Sequence, residues 1–473
     1  MGLMTLTRWG RCRRGAAIVL AIILAVAAVA AMLAAVAWAA PRLEFLHIQH
    51  NLSQTRERVS AYPDLAVNPD GDRVVVVWTE GYDERAGYRG HVYLRAASES
   101  GGGWGNRIPV FTGGSSACAY YRAAVAVTDT TAHVAYVVFS GGDDGCFYPA
   151  TMQVRYKTCS LTSGQCGEEE QVVSVAFLNN QITWVDLALD DSGNPHVVWA
   201  RYHKDQVSLG RIFYKARVDG AWGDTESVHG DGDNNMPAIA WANGYAHVVW
   251  QKESQDASEI LYRRRSVSGE WDPSSGPLGV LSADEPQRNP DVAAGGAGRV
   301  FVVWDRCLSQ SCDEYALLYK RSDTNGGGAY GGFGDYREVG TDQTLLSSLT
   351  PYTPTGNGYL LDLQPSIALN RDGWPSVVSH AGYSTDTYAV YYSYATTGTT
   401  GTVKSVSWLT RTVLVEGQLG AAVIGVGESE PGDQRHIHVA YMKSGGSAWD
   451  VYYDSNEWDS YDHLYMPLIM RSG

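Results

Sequence analysis

From about residue 60 onward the apolar residues neither recur at helical spacing nor alternate strictly with polar ones. They come in short bursts of about four to six, separated by polar, Gly-rich stretches. Bursts of that length, rich in Val, Ile and aromatics and bounded by turn residues, predict buried β-strands. Three kinds follow one another in fixed order. The first is a short apolar strand: "PDLAV" (Pro63), "AAVAV" (Ala123), "VDLAL" (Val185), "PAIAW" (Pro237), "PDVAA" (Pro290), "PSIAL" (Pro365) and "AAVIG" (Ala421). A turn comes next, often Asp/Asn-Gly, as at Asn68 and Asn370. A β-branched strand then usually closes on an aromatic: "VVVVW", "HVAY", "HVVW" twice, "VFVVW", "SVVSH" and a second "HVAY". The third strand carries tyrosine in its third place in six of seven copies, as in "VRYK", "IFYK" and "ILYR", with Leu94 the exception.

Seven such units, each of three or four short strands, predict an all-β, seven-bladed β-propeller, with six blades as the alternative count. A fourth strand is expected at "NRIPVFT" (Asn106), "EEQVVSV" (Glu169), "TESVHG" (Thr225), "YREVG" (Tyr336) and "KSVSWLT" (Lys404). The seventh unit has no obvious one. "FLHIQHNLS" (Phe45 to Ser53), ahead of unit one, has the right character and is expected to complete the last blade. Such closure removes the free edges of an open array. His133, His196, His247 and His438 all stand three residues before the aromatic of the second strand. One blade position in four blades keeps them far apart, so they read as packing residues and not as a metal pair.

The N-terminus obeys another pattern. After "RWGRCRR", an uncharged Ala/Ile/Leu/Val-rich run of 26 residues extends from Gly15 to Ala40. As a helix it spans roughly 39 Å, enough for a bilayer core of about 30 Å. Arg8, Arg11, Arg13 and Arg14 precede it and place the N-terminus in the cytoplasm. Residues 1–40 are therefore expected to be a basic flank plus signal anchor, or a signal peptide cleaved at "AWAA". Residues 41–462 form the propeller outside the cytoplasm, membrane-anchored or secreted accordingly, and 463–473 a C-terminal tail.

Net charge is −15, and the basic flank leaves the exported part more acidic still. That excludes a phosphate-driven nucleic-acid partner. Cysteine usage fits an oxidising compartment. Cys159/Cys166 and Cys307/Cys312 are local couples, and Cys118 and Cys146 pair by elimination.

Two columns of charged residues point at the face bearing the second-to-third-strand loops. Glu80, Arg201, Lys252, Arg306 and Lys443 lie just beyond the second-strand aromatics. Asp64, Asp186 and Asp291 stand at the entrance to the first strand. Cations beside carboxylates at a channel mouth suit an anionic sugar or a peptide carboxylate. The other reading has the aspartates brace neighbouring blades and the cations merely solvated. In "DGDNN", Asp231, Asp233 and Asn235 alternate like calcium ligands, but Met236 replaces the expected glycine and a plain turn is the competing reading. No cofactor is expected apart from that calcium candidate. Asn51-Leu52-Ser53 is a formal glycosylation sequon within an expected strand.

The stretches "LYKRSD" (Leu318), "IFYKARVDGAW" (Ile212) and "ILYRRRSVSGEW" (Ile260) resemble the blades of sialidase-type (BNR/Asp-box) propellers. "ASESGGGW" (Ala97 to Trp104) stands nearest to their S-x-D-x-G-x-T-W box, in degenerate form. The resemblance covers most of residues 60–455 and implies a propeller fold. It also implies an exo-glycosidase acting on anionic sugars as one function, with Arg201 and Arg306 the cations that favour it. No catalytic residue is assigned on the chain. The repeat by itself points to a binding or scaffolding module for a glycan or protein ligand, or to a purely structural surface protein.

Overall fold

The computed structural model describes residues 49–455, except 56–57, 69, 82–89, 99–102, 115–116, 142–148, 179, 204–205, 231, 254–257, 282–285, 296–298, 308–314, 323–336, 339–363, 371–372, 385–386, 397–406, 409–411, 418, 428–435 and 445–448. The expected anchor at 15–40 and the tail at 463–473 thus lie outside the described residues. Among the described residues no helix is long and apolar enough to cross a membrane.

Seven antiparallel sheets form seven blades. Their innermost strands are Ser60–Val67, Ala117–Val127, Asn180–Leu189, Asp233–Ala242, Gln287–Ala294, Ser366–Leu369 and Leu419–Gly427. The seventh sheet takes its outer strand from the N-terminal end: His50 pairs with Tyr453 and Asn51 with Tyr452. The expected closure is therefore present, and it is latched by side chains. Asp450 accepts hydrogen bonds from Asn51 Nδ2 (3.0 Å), Ser53 Oγ (2.7 Å), and the Thr55 amide (3.0 Å) and hydroxyl (2.7 Å). In this fold the sequon asparagine and serine are both engaged in the latch.

Blade six departs from expectation. Its outer strand is Thr412–Gly417, paired with Tyr388–Tyr392, and not "KSVSWLT". Ser407–Trp408 instead pairs with the far end of the third strand, Ala395 and Thr396. The same short hairpin carries Trp104, Trp222 and Trp271 in blades one, three and four. Hydrophobic pattern alone does not separate such a hairpin from the ladder strand that follows it.

The apolar second strands are buried on both faces. Val74 to Trp78 are 0% exposed, as a sheet sandwiched between two others requires. Each signature residue now has a physical role. In four blades the second-strand histidine shares a hydrogen bond through Nδ1 with the third-strand tyrosine hydroxyl: His133–Tyr156 at 2.6 Å, His247–Tyr262 at 2.7 Å, His438–Tyr453 at 2.6 Å, and His196–Tyr214. Blade six substitutes Ser376 for the histidine, 3.3 Å from the Tyr392 hydroxyl. Blade one has Val75 in the histidine place, and Leu94 stands in the tyrosine place on the next strand. Lacking one polar partner, this blade lacks both, as burial of an unpaired hydroxyl demands.

The residue after the tyrosine reaches back one blade. Lys157 Nζ donates to Val110 O (3.0 Å), Lys215 Nζ to Val172 O (2.8 Å) and Arg263 to Val228 O (2.9 Å), with Lys320 on Val280 O repeating the contact. The hairpin tryptophans reach back too. Trp104, Trp222 and Trp271 meet Tyr453, Tyr156 and Tyr214 edge-on, with ring centroids 4.7, 5.4 and 5.4 Å apart. The indole N–H of Trp222 donates to Glu170 and that of Trp271 to Glu226. Glycine permits close approach between blades: a Cβ on Gly90, just ahead of the third strand of blade one, would lie 2.1 Å from Ala119 O, and one on Gly210, in the third strand of blade three, 2.4 Å from Asn234 O.

Cys159 and Cys166 form a disulfide at the turn after the third strand of blade two. Cys118 and Cys307 are also disulfide-bonded. Their expected partners, Cys146 and Cys312, lie outside the described residues.

Candidate functional site: the axial cleft

Six innermost strands carry a register shift near their start, for example between Ala61 and Asp64 and between Asn235 and Ala238. A bulge re-aims a side chain away from the ladder. The residue two places before the aspartate position is the one redirected. There Tyr62, Met236, Asn289 and Gln364 hold φ values of +53°, +50°, +50° and +32°. Left-handed backbone is uncommon for residues other than glycine, and its recurrence at one blade position is a built feature.

These positions ring the mouth of the central channel on the face of the long loops. Tyr62, Arg122, Trp184, Met236, Asn289 and Gln364 come from blades one to six, and Ala421 completes the ring from blade seven. The cleft they line is open: its empty space of about 580 Å³ includes open solvent, and only about 50 Å³ of it is room for the centres of water molecules.

Below the ring lie the three predicted aspartates. Each binds the backbone of the next blade: Asp64 Oδ2 accepts from Val125 N–H (2.8 Å), Asp186 Oδ2 from Ile239 N–H (2.8 Å) and Asp291 Oδ2 from Ile367 N–H (2.9 Å). Ser366 takes over this part towards Ile424 of blade seven, at 3.4 Å. The bracing role read from the sequence is therefore real. The same carboxylates also gather around Arg122, which donates to Asp64 Oδ1 at 3.0 Å and feels all three electrostatically.

Asp186 and Asp291 are half-buried, and Asp291 lines the cleft. Loss of hydration pushes both carboxyls up, Asp186 to about 7, against the opposing pull of Arg122. Burial alone lowers the pKa of Arg122, but the three carboxylates outweigh it and the net shift is upward. The guanidinium also lies 5.2 Å from the centre of the Trp184 ring. Arg122, inside "YYRAAVAV", had no signal in the sequence, because the bulge that turns it to the axis is invisible in the hydrophobic pattern.

The other column does not join this cluster. Glu80, Arg201, Lys252, Arg306 and Lys443 occupy second strands, one strand away from the axis. Glu80 is buried and paired with Arg107 at 2.6 Å and Arg58 at 3.7 Å. Arg201 covers the Phe213 ring at 4.2 Å, and Lys443 donates to Gln49 at 2.7 Å. Lys252 pairs across to Asn234 and Glu259, and Arg306 to Gln287 and Ala316.

Of the calcium candidate, Asp231 lies outside the described residues. Asp233 and Asn235 are strand residues, Asn235 Oδ1 accepting from Thr183 at 3.3 Å. Among the described residues no group of three potential metal ligands is present.

Fold and cleft together define a closed seven-bladed propeller with one axial site. No protein-family model and no curated protein matches the sequence. Among solved structures the chain is similar to an alpha-L-arabinanase of Penicillium chrysogenum, at 10% identity and a TM-score of 0.43, over 88% of this chain and 95% of that one. It is similar to the NanB sialidase of Streptococcus pneumoniae at 11% identity and a TM-score of 0.43, over 88% and 71%. A third likeness is to the polysaccharide lyase Uly1, at 14% identity and a TM-score of 0.46, over 86% and 98%. The Asp-box reading of the repeat has no family match.

Proposed function

We propose that the protein is an extracytoplasmic propeller, held at the membrane by its N-terminal segment, that binds a glycan in the axial cleft. The observation that carries this reading is the ring itself: one bulged blade position furnishes aromatic, amide, thioether and guanidinium groups around a single concavity. Flat rings with a few convergent polar groups suit a sugar. Binding without turnover is favoured because Oδ2 of each axial aspartate is committed to a neighbouring backbone N–H. The test is a glycan array with the fragment 41–473, repeated with Trp184→Ala and Gln364→Ala. Loss of a bound glycan in both variants supports the reading, and an unaltered array pattern sinks it. A fluorogenic sialoside assay runs alongside. Turnover abolished by Arg201→Ala or Arg306→Ala establishes the exo-glycosidase alternative instead.

A further inference from the structure

We infer that the ring parts at one seam, between blades six and seven, and that this parting widens the axial cleft for its glycan. The inference rests on the glycan-binding reading above and adds how the site is entered. The cleft calls for such a device: its room for the centres of water molecules, about 50 Å³, holds roughly four waters, too few to make way for a sugar ring. Its lining crosses the seam in question, with Gln364, Pro365 and Ser366 on blade six and Ala421, Ala422 and Val423 on blade seven. Separating these two blades enlarges the cleft directly.

The seams are not fastened alike. Asp64, Asp186 and Asp291 brace blade one to two, three to four and five to six through bonds of 2.8 to 2.9 Å. Blades two and four have Ala124 and Ala238 in the bracing place, but Lys215 and Lys320 of the following blades reach back to Val172 O and Val280 O. Between six and seven the bracing place holds Ser366, whose Oγ accepts from Ile424 N–H at 3.4 Å, a distance at which a hydrogen bond is weak. The place after the tyrosine, cationic in blades two to five, holds Asp454 in blade seven. A carboxylate has no hydrogen to give a carbonyl oxygen, so the contact of those blades cannot form here.

Blade seven is keyed instead to blade one. Leu65 and Val67 fill the space a side chain at Gly425 would need, 2.3 and 2.7 Å from where its Cβ would stand. Trp104 meets Tyr453 edge-on at 4.7 Å. Leu65, Val74 and Trp78 share one apolar cluster with Val423, Val451 and Tyr453. Blade seven therefore moves with blade one, and its other seam is the one that yields. Local opening draws on the least stabilised contacts of a fold.

The test puts one cysteine into each of four seams. Val76, Val134, Val248 and Val439 occupy one second-strand place, just after the histidine position, and each is 0% exposed. The first three pack in clusters shared with the preceding blade, and the repeat sets Val439 against blade six. Each single cysteine variant of the full-length protein in detergent is treated with N-ethylmaleimide, and labelling is followed peptide by peptide by mass spectrometry. Val439→Cys is expected to label about tenfold faster than the other three. Adding Ser366→Asn, which offers Ile424 a longer uncharged acceptor, should slow it about tenfold, and Ser366→Ala should quicken it. Glycans retained on the array should bind more weakly to Ser366→Asn and more tightly to Ser366→Ala, because affinity scales with the open fraction. A residue that merely touched the sugar would lose affinity in both variants. If either Ser366 variant does not fold, the order of the four cysteines carries the test. Equal labelling at all four, or fastest labelling of Val76→Cys, overturns the inference. Unchanged glycan binding in both Ser366 variants overturns the link to the cleft. An array that retains no glycan overturns the functional reading, while the labelling order still decides the seam.

Discussion

The seams between blades and the ring at the axis are built from equivalent positions of the same repeat, yet they treat those positions in opposite ways. Within the blades and along the seams, equivalent places hold the same residues: histidine against tyrosine inside a blade, lysine or arginine reaching back one blade, and hairpin tryptophan against the preceding tyrosine. At the ring, one place holds Tyr62, Arg122, Trp184, Met236, Asn289 and Gln364. A place whose geometry recurs and whose chemistry recurs is solving a packing problem common to every blade. A place whose geometry recurs while its chemistry diversifies is shaped by something that is not itself seven-fold. The comparison separates architecture from site within one chain, and four predictions sharpen or break it.

The largest effect is expected at the latch. Removing residues 41–55 strips Asp450 of its four donors and uncovers the outer edge of blade seven. The truncated protein should melt well below the fragment that begins at Pro41, or aggregate, in a thermal scan with light scattering. Equal melting and solubility would show that the latch contributes nothing to the ring.

Next comes acid. Burial holds His133 and His196 at about 4 and His247 and His438 at about 3, below the ordinary 6.5. As pH falls below about 6.5 the unfolded chain protonates these rings before the folded one does. Their stabilisation, on the order of 3 kcal/mol each at its limit, is therefore present above that pH and lost towards pH 4. Asp186 acts in the opposite sense, because its raised carboxyl favours the folded state below about 7. Burial raises Asp291, Glu80, Asp233 and Glu253 too, and they act with Asp186, so the four rings should make the melting temperature fall between pH 6.5 and 4.5 less steeply than they would alone. A flat profile there contradicts neutral, buried histidines.

A single histidine–tyrosine pair inside a blade comes third. Tyr262→Phe leaves His247 without its partner and should cost about 1–3 kcal/mol in chemical denaturation. The double change His247→Val with Tyr262→Leu copies blade one, where Val75 and Leu94 replace the pair. It should cost less than the sum of the two single changes in a double-mutant cycle. Strict additivity would mean that the pair is not a unit.

The smallest effect on stability belongs to the ring. Trp184→Ala and Gln364→Ala should shift the melting temperature by no more than about 2 °C, since both side chains keep part of their surface in the cleft. Ligand binding should nevertheless be lost. A large loss of stability from either would place that residue with the seams.

The same contrast explains what the sequence discloses. Seven units, ring closure and the bracing aspartates are legible because each depends on a pattern that repeats, and repetition amplifies a weak local signal. Asp64, Asp186 and Asp291 stand out as a column for that reason. Arg122 and Trp184 do not, because they repeat nothing. Their convergence depends on a one-residue bulge, which shifts register without altering the apolar burst that follows. The cation column illustrates the converse: a matching offset along the chain places Arg201 and Lys252 on equivalent strands, but a second strand never reaches the axis. The Trp408 hairpin reads as a ladder strand in the sequence because both are short and apolar, and only pairing partners tell them apart.

The latch also imposes an order on synthesis. Asn51 and Asp450 meet across 399 positions of chain, so the first strand to leave the ribosome pairs with nearly the last. At about 5–20 residues per second, the interval is roughly 20–80 s. By the end of that time six blades form an open arc whose first segment still waits for its partner strand. Asn51, Ser53 and Thr55 suit that wait: their polar side chains keep the segment from finding a wrong strand, and they become the donors to Asp450 only when the seventh blade arrives.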